Sequence, residues 1–192
     1  MTTSDAPSPA DLPSQRGEIW NDTDAIARHR AMTPSQRLTL AIEVSRAALL
    51  FARAGGAVDV ASTFDPAGLV AALKEACVDY VIVGGLAGAA HGVVRASADI
   101  DLVPSPSETL AALSSLGAAY ADDVIRTRWG DVHFQRGLSY LQLRDNALAV
   151  RLGDANAAVC SLADFRSMKL ALARPRDLID LAELDELHAA ST

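Results

Sequence analysis

Two aspartates alternate in a short apolar stretch, a spacing that suits the binding of a metal ion. Asp99 and Asp101 lie within Ser97–Val103, whose composition predicts a β-strand. Because side chains alternate between the two faces of a strand, both carboxylates point to the face opposite Ile100 and Leu102. Two carboxylates on one face can share a divalent cation, and hard oxygen ligands of this kind suit Mg²⁺. The spacing therefore predicts a Mg²⁺ site formed by Asp99 and Asp101.

The segment that precedes the aspartates has the features of a phosphate-binding turn. Tyr80–Val83 is a short, apolar, β-rich run, and the Gly84-Gly85 pair after it allows a tight turn and a close approach of the backbone to a ligand. The turn opens a helix, whose free N–H groups favour phosphate. Arg95 and Ser97 lie between this turn and the aspartates, where they can contact the phosphate or fix the turn.

Together these residues resemble the pattern of the minimal DNA-polymerase-β-like nucleotidyltransferases, in particular the bacterial group found as toxins of toxin–antitoxin pairs. The residues that agree with this pattern in type and spacing are Gly84, Gly85, His91, Gly92, Arg95, Ser97, Asp99 and Asp101. The resemblance covers about residues 64–187. It implies a nucleotidyltransferase fold of the α/β (α+β) class, with a mixed β-sheet flanked by helices. It also implies Mg²⁺-dependent transfer of a nucleoside monophosphate from an NTP to RNA, with the 3′ end of tRNA as the acceptor.

A second block resembles the closing helices of the same family. It comprises Ser161–Lys169 and Arg174–Asp180. In the family a lysine at the position of Lys169 faces the nucleotide phosphates, whereas the simpler interpretation is an exposed helix lysine. Asp177 and Asp180, three residues apart on one helix face, could orient Lys169 or an arginine, or be structural.

The third carboxylate of the family, often placed to activate the attacking hydroxyl, has no direct counterpart here. The position falls in Trp129–Phe134, where this chain has His133. Asp131 lies on the same strand face and could substitute, or His133 could itself be the general base or a ligand. A weakened or inactive enzyme would explain the same substitution.

The N-terminal third is predicted to lie outside the catalytic domain. Residues 1–17 are rich in Ser, Pro, Ala and Asp, bury too little apolar surface to become ordered, and are predicted to be a disordered tail. Residues 18–63 are predicted to form a helical arm, in which Thr33-Pro34-Ser35-Gln36 is a capping-box start and Gly55-Gly56 a stop. Apolar residues spread over a wide arc of this long helix, so we expect something to cover it. The nucleotidyltransferase domain is predicted to span residues 64–192.

The arm resembles, over His29–Gly55, the short helical proteins that are encoded beside such transferases and are thought to be their antitoxins. This resemblance implies a fused antitoxin that inhibits in cis, or a separate one that acts in trans. A generic helical extension that packs on the core would explain the wide apolar arc equally well.

The remaining elements complete a mixture of strands and helices. Helices are predicted over Ala67–Ala76, after Ser105, at the lysine-bearing segment that Ser161 and Asp164 cap, and over Arg176–Ala189. Strands are predicted over Val124–Arg128, Asp131–Gln135, Tyr140–Leu143 and Leu148–Leu152. Such a mixture indicates an α/β or α+β sheet with helices on one side.

Charge and composition limit the function classes. The net charge of −6 from Phe64 onward argues mildly against an RNA partner. Five arginines fall in one segment and are either the candidate RNA surface or scattered, solvated side chains on strand edges: Arg126, Arg128, Arg136, Arg144 and Arg151. An acceptor hydroxyl on a small molecule or a protein would suit the acidic chain better, and a catalytically weakened nucleotide-binding module remains a further alternative. The glycines do not have the G-x-G-x-x-G spacing of a dinucleotide site. No signal peptide or membrane span is evident, so we predict a cytoplasmic protein with no membrane partner.

Overall fold

The computed structural model describes residues 23–56, 63–106, 116, 120–121 and 123–189. The chain forms two compact units, residues 1–31 and 32–192. In the first unit the described element is helix α1 (Thr23–Ala31), with Asp24 in its first turn and basic residues in its last, as the helix dipole favours. The predicted tail over 1–17 and the helix predicted after Ser105 lie outside the described residues.

The second unit contains a seven-stranded mixed sheet. The strands are β1 (Tyr80–Ile82), β2 (Asp99–Pro104), β3 (Tyr120–Ala121), β4 (Val124–Thr127), β5 (Gly130–Phe134), β6 (Leu148–Leu152) and β7 (Ala155–Val159). Their order across the sheet is β3-β4-β5-β2-β1-β7-β6. The β1/β7 and β2/β5 pairs are parallel and the others are antiparallel. The predicted mixed sheet with flanking helices is therefore confirmed.

The described helices of the second unit lie before, between and after these strands in the chain. They are α2 (Pro34–Ala54), α3 (Pro66–Glu75), α4 (Gly84–His91), α5 (Tyr140–Asp145), α6 (Leu162–Leu172) and α7 (Pro175–Ala189). The described helices include none with both the length and the apolar character needed to cross a bilayer.

Two predictions from the sequence are wrong between residues 140 and 159. The strand predicted over Tyr140–Leu143 is helix α5, which Ser139 caps through its hydroxyl, an acceptor for the Gln142 N–H at 3.4 Å. Tyr140 and Leu143 are both buried, and their spacing of three residues places them on one helix face. Strand β7 was not predicted, because its alanines give little β-propensity, yet Ala155, Ala157 and Val159 alternate inward in the structure.

Helix α4 is buried along its length, and its small residues make this possible. From Gly85 to His91 every residue is buried, between the sheet, α2 and α6. A β-carbon at Gly88 would stand 2.9 Å from the Phe165 ring, so only glycine allows that approach. The imidazole of His91 is hydrogen-bonded to the Cys160 carbonyl at 2.8 Å, and burial lowers its pKa. His91 is thus a structural residue that ties α4 to the sheet.

Helix α2 belongs to the same compact unit as the sheet. The predicted capping box is present, with Thr33 and Gln36 each bonded to the backbone N–H of the other. Leu38, Ile42 and Ser45 form a buried stripe on the side of α2 that packs on α4. The boundary predicted near Phe64 therefore does not coincide with the boundary between the two units. On other faces of α2 several apolar side chains are exposed, Phe51 to 80%.

We expect Leu38→Ala to destabilise the second unit by about 2–5 kcal/mol, because it empties space around a fully buried side chain. Leu40→Ala, on the more exposed side of the same helix, is the matched control and should cost less than about 1 kcal/mol. Urea unfolding followed by circular dichroism measures both. An unchanged midpoint for Leu38→Ala would mean that α2 is a detachable arm.

Candidate functional site

The two aspartates of β2 and a histidine of β5 come together on one face of the sheet. Strands β2 and β5 pair in parallel, with Asp99 opposite Asp131 and Asp101 opposite His133. One ligand atom from each of Asp99, Asp101 and His133 lies within 4.8 Å of the others. The distance from His133 Nδ1 to Asp99 Oδ2 is 3.9 Å. Two carboxylates and an imidazole at this spacing fit a single divalent cation, with Mg²⁺ satisfied mainly by the carboxylate oxygens.

Asp131 shares the strand face but not the ligand group. Its carboxylate lies 3.9 Å from Arg126 Nε on the neighbouring strand and is about half exposed. Of the two residues considered for the third position, the structure therefore brings His133, and not Asp131, to the aspartates.

The surroundings of Asp101 disfavour the ionised form of its carboxyl group. Burial, and then the charge of Asp99, raise the pKa of the Asp101 carboxyl above its ordinary value. The Gln135 side-chain amide donates to Oδ1 at 2.7 Å, and the Gly85 backbone N–H also contributes a hydrogen bond. A cation beside the two carboxylates would offset both unfavourable effects.

The glycine turn is built around this carboxylate. Gly84 has a φ of +61°, and a β-carbon there would lie 1.9 Å from Asp101 Oδ2. A β-carbon at Gly85 would lie 2.6 Å from Ser97 Oγ. The glycines therefore let the start of α4 approach the aspartates, and the Gly85 N–H faces the Asp101 carboxylate. The proposed phosphate contact of this helix end remains a prediction.

Gly84→Ala is expected to weaken divalent-cation binding by roughly tenfold or more, because its β-carbon must displace Asp101. Gly137→Ala is the matched control, since Gly137 also has a positive φ (+78°) but no atom within 4 Å of the added carbon. Both variants should lose about 1–2 kcal/mol of stability from the left-handed backbone. The quenching of the Mn²⁺ electron paramagnetic resonance signal measures binding. Equal affinities in the two variants would contradict the close approach at Gly84.

Ser97 connects the loop before β2 to a proposed metal ligand. Its hydroxyl donates to Asp99 Oδ1 at 3.1 Å, and the side chain is buried. Arg95, two residues earlier, lines the same cavity, and its Nε lies 3.3 Å from Asp180 Oδ1.

Lys169 is buried and paired, not an exposed helix lysine. Only 5% of its surface is exposed, and its ammonium donates to Asp177 Oδ1 at 2.7 Å and to Asp180 Oδ2 at 2.6 Å. Arg174 Nε donates to Asp177 Oδ2 at 2.6 Å. The hydrogen bond from Arg174, helped by Lys169, holds the pKa of the Asp177 carboxyl well below its usual range. Two buried aspartates thus hold three cationic side chains, those of Lys169, Arg95 and Arg174.

A cavity of about 470 Å³ joins these groups. The metal-ligand group, Lys169, Gly84 and Gly85 line it together with four arginines, Arg95, Arg136, Arg174 and Arg176. Apolar side chains such as Phe165 and Met168 form part of its wall. Gln135, Arg174 and Arg176 were not predicted as site residues from the sequence, and Arg136 was predicted only as part of an RNA surface. The signal for two of them was Arg174-Pro175-Arg176, just before the final helix.

The arginine segment predicted as an RNA surface does not form one patch. Arg126 lies on β4 and Arg151 on β6, which are five strand positions apart in the sheet. That separation corresponds to roughly 24 Å at the usual strand spacing. Of the five arginines in the segment, Arg136 lines the cavity. Positive charge converges at the cavity through residues that are distant in sequence.

Comparison with known proteins adds no relative to this description. Neither a family model nor a curated protein matches the chain. The features of the molecule that bear on function are the group formed by Asp99, Asp101 and His133 and the arginine-lined cavity around it.

Proposed function

We propose that this protein is a Mg²⁺-dependent nucleotidyltransferase that transfers a nucleoside monophosphate from an NTP to an acceptor hydroxyl, with pyrophosphate as the leaving group. The observation that supports the proposal is that Asp99 and Asp101 of β2, together with His133, line the same cavity as four arginines. Carboxylates alone would suit many metal sites. Carboxylates facing several arginines suit a cation that is bound together with a polyphosphate.

The residues divide into two groups in this proposal. Asp99 and Asp101 hold Mg²⁺, and His133 occupies the place of a third ligand. When bound, the cation neutralises charge on the phosphates and polarises the α-phosphate. Arg174 is hydrogen-bonded to Asp177, so its guanidinium group can meet the triphosphate without first losing freedom, and Arg95 forms an ion pair with Asp180 in the same cavity. Lys169 lines the same cavity, and its ammonium offsets the negative charge of these two aspartates, so that the charge of the arginines remains available to the phosphates.

The acceptor we propose is RNA, with the 3′ end of tRNA as the specific site. The terminal nucleotide would present its hydroxyl at the metal end of the cavity. A second candidate is a hydroxyl on a small molecule or a protein, which the dispersed arginines of β4 and β6 favour because they leave no continuous basic track for an RNA backbone.

The proposal is tested by incubating the full chain with each α-labelled NTP, Mg²⁺ and total RNA. Label in a tRNA-sized band that depends on Mg²⁺ is the expected result. Label that appears only in protein or in small molecules would replace RNA by the second candidate. The absence of transfer to any acceptor, with NTP still bound, would indicate a nucleotide-binding regulatory module, as the substitution at His133 also suggests.

Inhibition in cis by an antitoxin-like segment is a separate part of the proposal. Because α2 packs in the same unit as the sheet, a chain that begins at Phe64 would lose part of the core. A chain that begins at Met32 removes only the first compact unit. The predicted antitoxin-like arm spans residues 18–63, so that shorter chain lacks only the first part of it. Faster labelling by the shorter chain would support inhibition in cis by that part, whereas an equal rate would leave inhibition by residues 32–63 or an antitoxin in trans as the remaining hypotheses.

His133→Ala is expected to weaken Mn²⁺ binding by about 10- to 100-fold while stability changes by less than about 0.5 kcal/mol, since the side chain is only partly buried. His188→Ala, an exposed histidine on α7, is the control. Calorimetric titration with Mn²⁺ measures the affinity. Undiminished affinity with a loss of turnover would instead make His133 a general base.

A further inference from the structure

A hydrogen-bonded chain leads from the interior of α2 to a proposed metal ligand. Ser45 is only 1% exposed, and its hydroxyl donates to the Ala41 carbonyl at 2.6 Å within the helix. The same oxygen accepts the Ser97 backbone N–H at 2.9 Å, across 52 positions of sequence. The Ser97 hydroxyl in turn lies within donating distance of two oxygens of Asp99, the carboxylate Oδ1 at 3.1 Å and the backbone carbonyl at 3.2 Å. Helix α2 therefore contacts the loop that carries Ser97 at the residue that orients Asp99.

We propose that Ser45 is a positioning residue for the metal site, an inference that rests on the proposed role of Asp99 as a metal ligand. The Ser97 N–H is buried in the loop before β2, and the Ser45 hydroxyl supplies its acceptor. Because this hydrogen bond fixes the Ser97 backbone, it also fixes the position of the Ser97 hydroxyl relative to β2. The hydroxyl then favours one orientation of the Asp99 carboxylate. Groups of this kind, which bond to ligands but not to the metal, commonly set metal affinity.

The surrounding geometry leaves Ser97 few other positions. Gly85 lies so close that an added β-carbon would stand 2.6 Å from Ser97 Oγ. Ser97 is thus held between Gly85 on α4, Ser45 on α2 and Asp99 on β2. The Ser45 contact is the one of these three that comes from outside the strand-turn-helix-strand segment. Through the Ser45 contact, the proposed metal site depends on how α2 packs against this segment.

The test compares the Mn²⁺ affinity of Ser45→Ala with that of two controls in the full-length protein, by electron paramagnetic resonance. Ser45→Ala should bind Mn²⁺ about three- to tenfold more weakly. This loss is smaller than the roughly 10- to 100-fold loss that follows removal of a residue hydrogen-bonded directly to a metal ligand. Thr39→Ala removes a similar hydroxyl bonded four residues back in α2, but at an exposed position, and should leave the affinity unchanged. Ile42→Val controls for a loss of packing, because it removes a methyl group from the same buried stripe of α2 and leaves the hydrogen-bonded chain intact. Ser45→Thr, which keeps the hydroxyl, should restore most of the affinity.

The outcomes separate this inference from the proposed function. If the natural protein binds Mn²⁺ and Ser45→Ala binds it no more weakly than Ile42→Val does, the positioning role is wrong and the metal site stands. If the natural protein binds no Mn²⁺, both are wrong. Hydrogen exchange of the Ser97 amide in the natural protein needs no variant. Slow exchange, comparable to that of the α4 amides, supports the contact with Ser45, and fast exchange overturns it.

Discussion

Replacing both Asp99 and Asp101 by asparagine is expected to abolish Mn²⁺ and Mg²⁺ binding and to lower nucleotidyl transfer by roughly a thousandfold or more. Asparagine keeps the shape of the side chain but removes the two negative charges that a divalent cation requires. The cation is worth several kcal/mol of transition-state stabilisation in phosphoryl chemistry, and each 1.4 kcal/mol corresponds to about a tenfold change in rate. The measurements are Mn²⁺ titration and transfer of label from NTP.

The matched control is Asp131→Asn. Asp131 lies on the same face of the sheet and opposite Asp99 in register, but outside the ligand group. It should therefore retain metal binding and most of the activity. If Asp131→Asn were as inactive as the double variant, the third catalytic carboxylate would be Asp131, and the assignment of that place to His133 would be wrong.

The same double variant should be more stable than the natural protein when no metal is present. Burial and Asp99 raise the pKa of Asp101 in the folded state, so the folded protein binds more protons than the unfolded chain as pH rises from the ordinary aspartate pKa to the raised one. The free energy of unfolding therefore falls as the pH rises through that interval. Above it, the ionised Asp101 carboxyl destabilises the folded protein. Asparagine removes the cost and still accepts the hydrogen bond from Gln135. Urea unfolding at pH 7 in a chelator checks the sign.

Lys169→Met is expected to destabilise the second unit by about 3–5 kcal/mol, because it removes one partner from a buried ion-pair network. Asp177 and Asp180 are almost fully buried, and each would keep only an arginine. Methionine retains the length and apolar character of the side chain, so the loss reports the charge and not a cavity. Lys74→Met is the matched control, because it changes the chain's other lysine at an exposed position near the end of α3. Urea unfolding at pH 7 measures both, and similar midpoints would contradict a structural role for the buried ammonium.

The pH dependence of stability provides an independent check of this network. The pKa of Asp177 is depressed in the folded state, so the carboxylate contributes stability that is fully present above the ordinary aspartate pKa, near 4. That contribution is lost as the pH falls toward the depressed folded value. The natural protein should therefore lose more stability between pH 6 and pH 3 than Asp177→Asn does. Equal losses would show that Asp177 is not held ionised by Arg174 and Lys169.

The sequence predicted the local parts of the proposed site because each depends on neighbours in the chain. Alternation along β2 placed Asp99 and Asp101 on one face, and a Gly-Gly pair after an apolar strand marked the start of α4. Capping residues located two helices, at Thr33 and at Ser161, whose hydroxyl accepts the Asp164 N–H at 3.1 Å. These signals require only the geometry of one strand, one turn or one helix end.

The predictions failed where tertiary contacts decide the structure. Tyr140–Leu143 combines aromatic and aliphatic residues that suit a strand as well as a helix, and tertiary burial of Tyr140 and Leu143 decided for α5. β7 has little propensity of its own and exists because β1 and β6 pair with its two edges. The apolar arc of α2 indicated that the helix would be covered, but not that one face would pack on α4 while Phe51 stayed exposed.

By itself the sequence therefore determined the local parts of the proposed site: two carboxylates in alternation, a close-approach turn, and the strands and helices that carry them. The tertiary structure decided which residues join them. Parallel pairing of β2 with β5 brought His133 beside Asp99, the meeting of α6 with α7 buried Lys169 between two aspartates, and α2 supplied an acceptor for Ser97. The physical reason is that alternation and capping act over a few residues, whereas strand order and helix packing join residues tens of positions apart, and no local pattern encodes those partners.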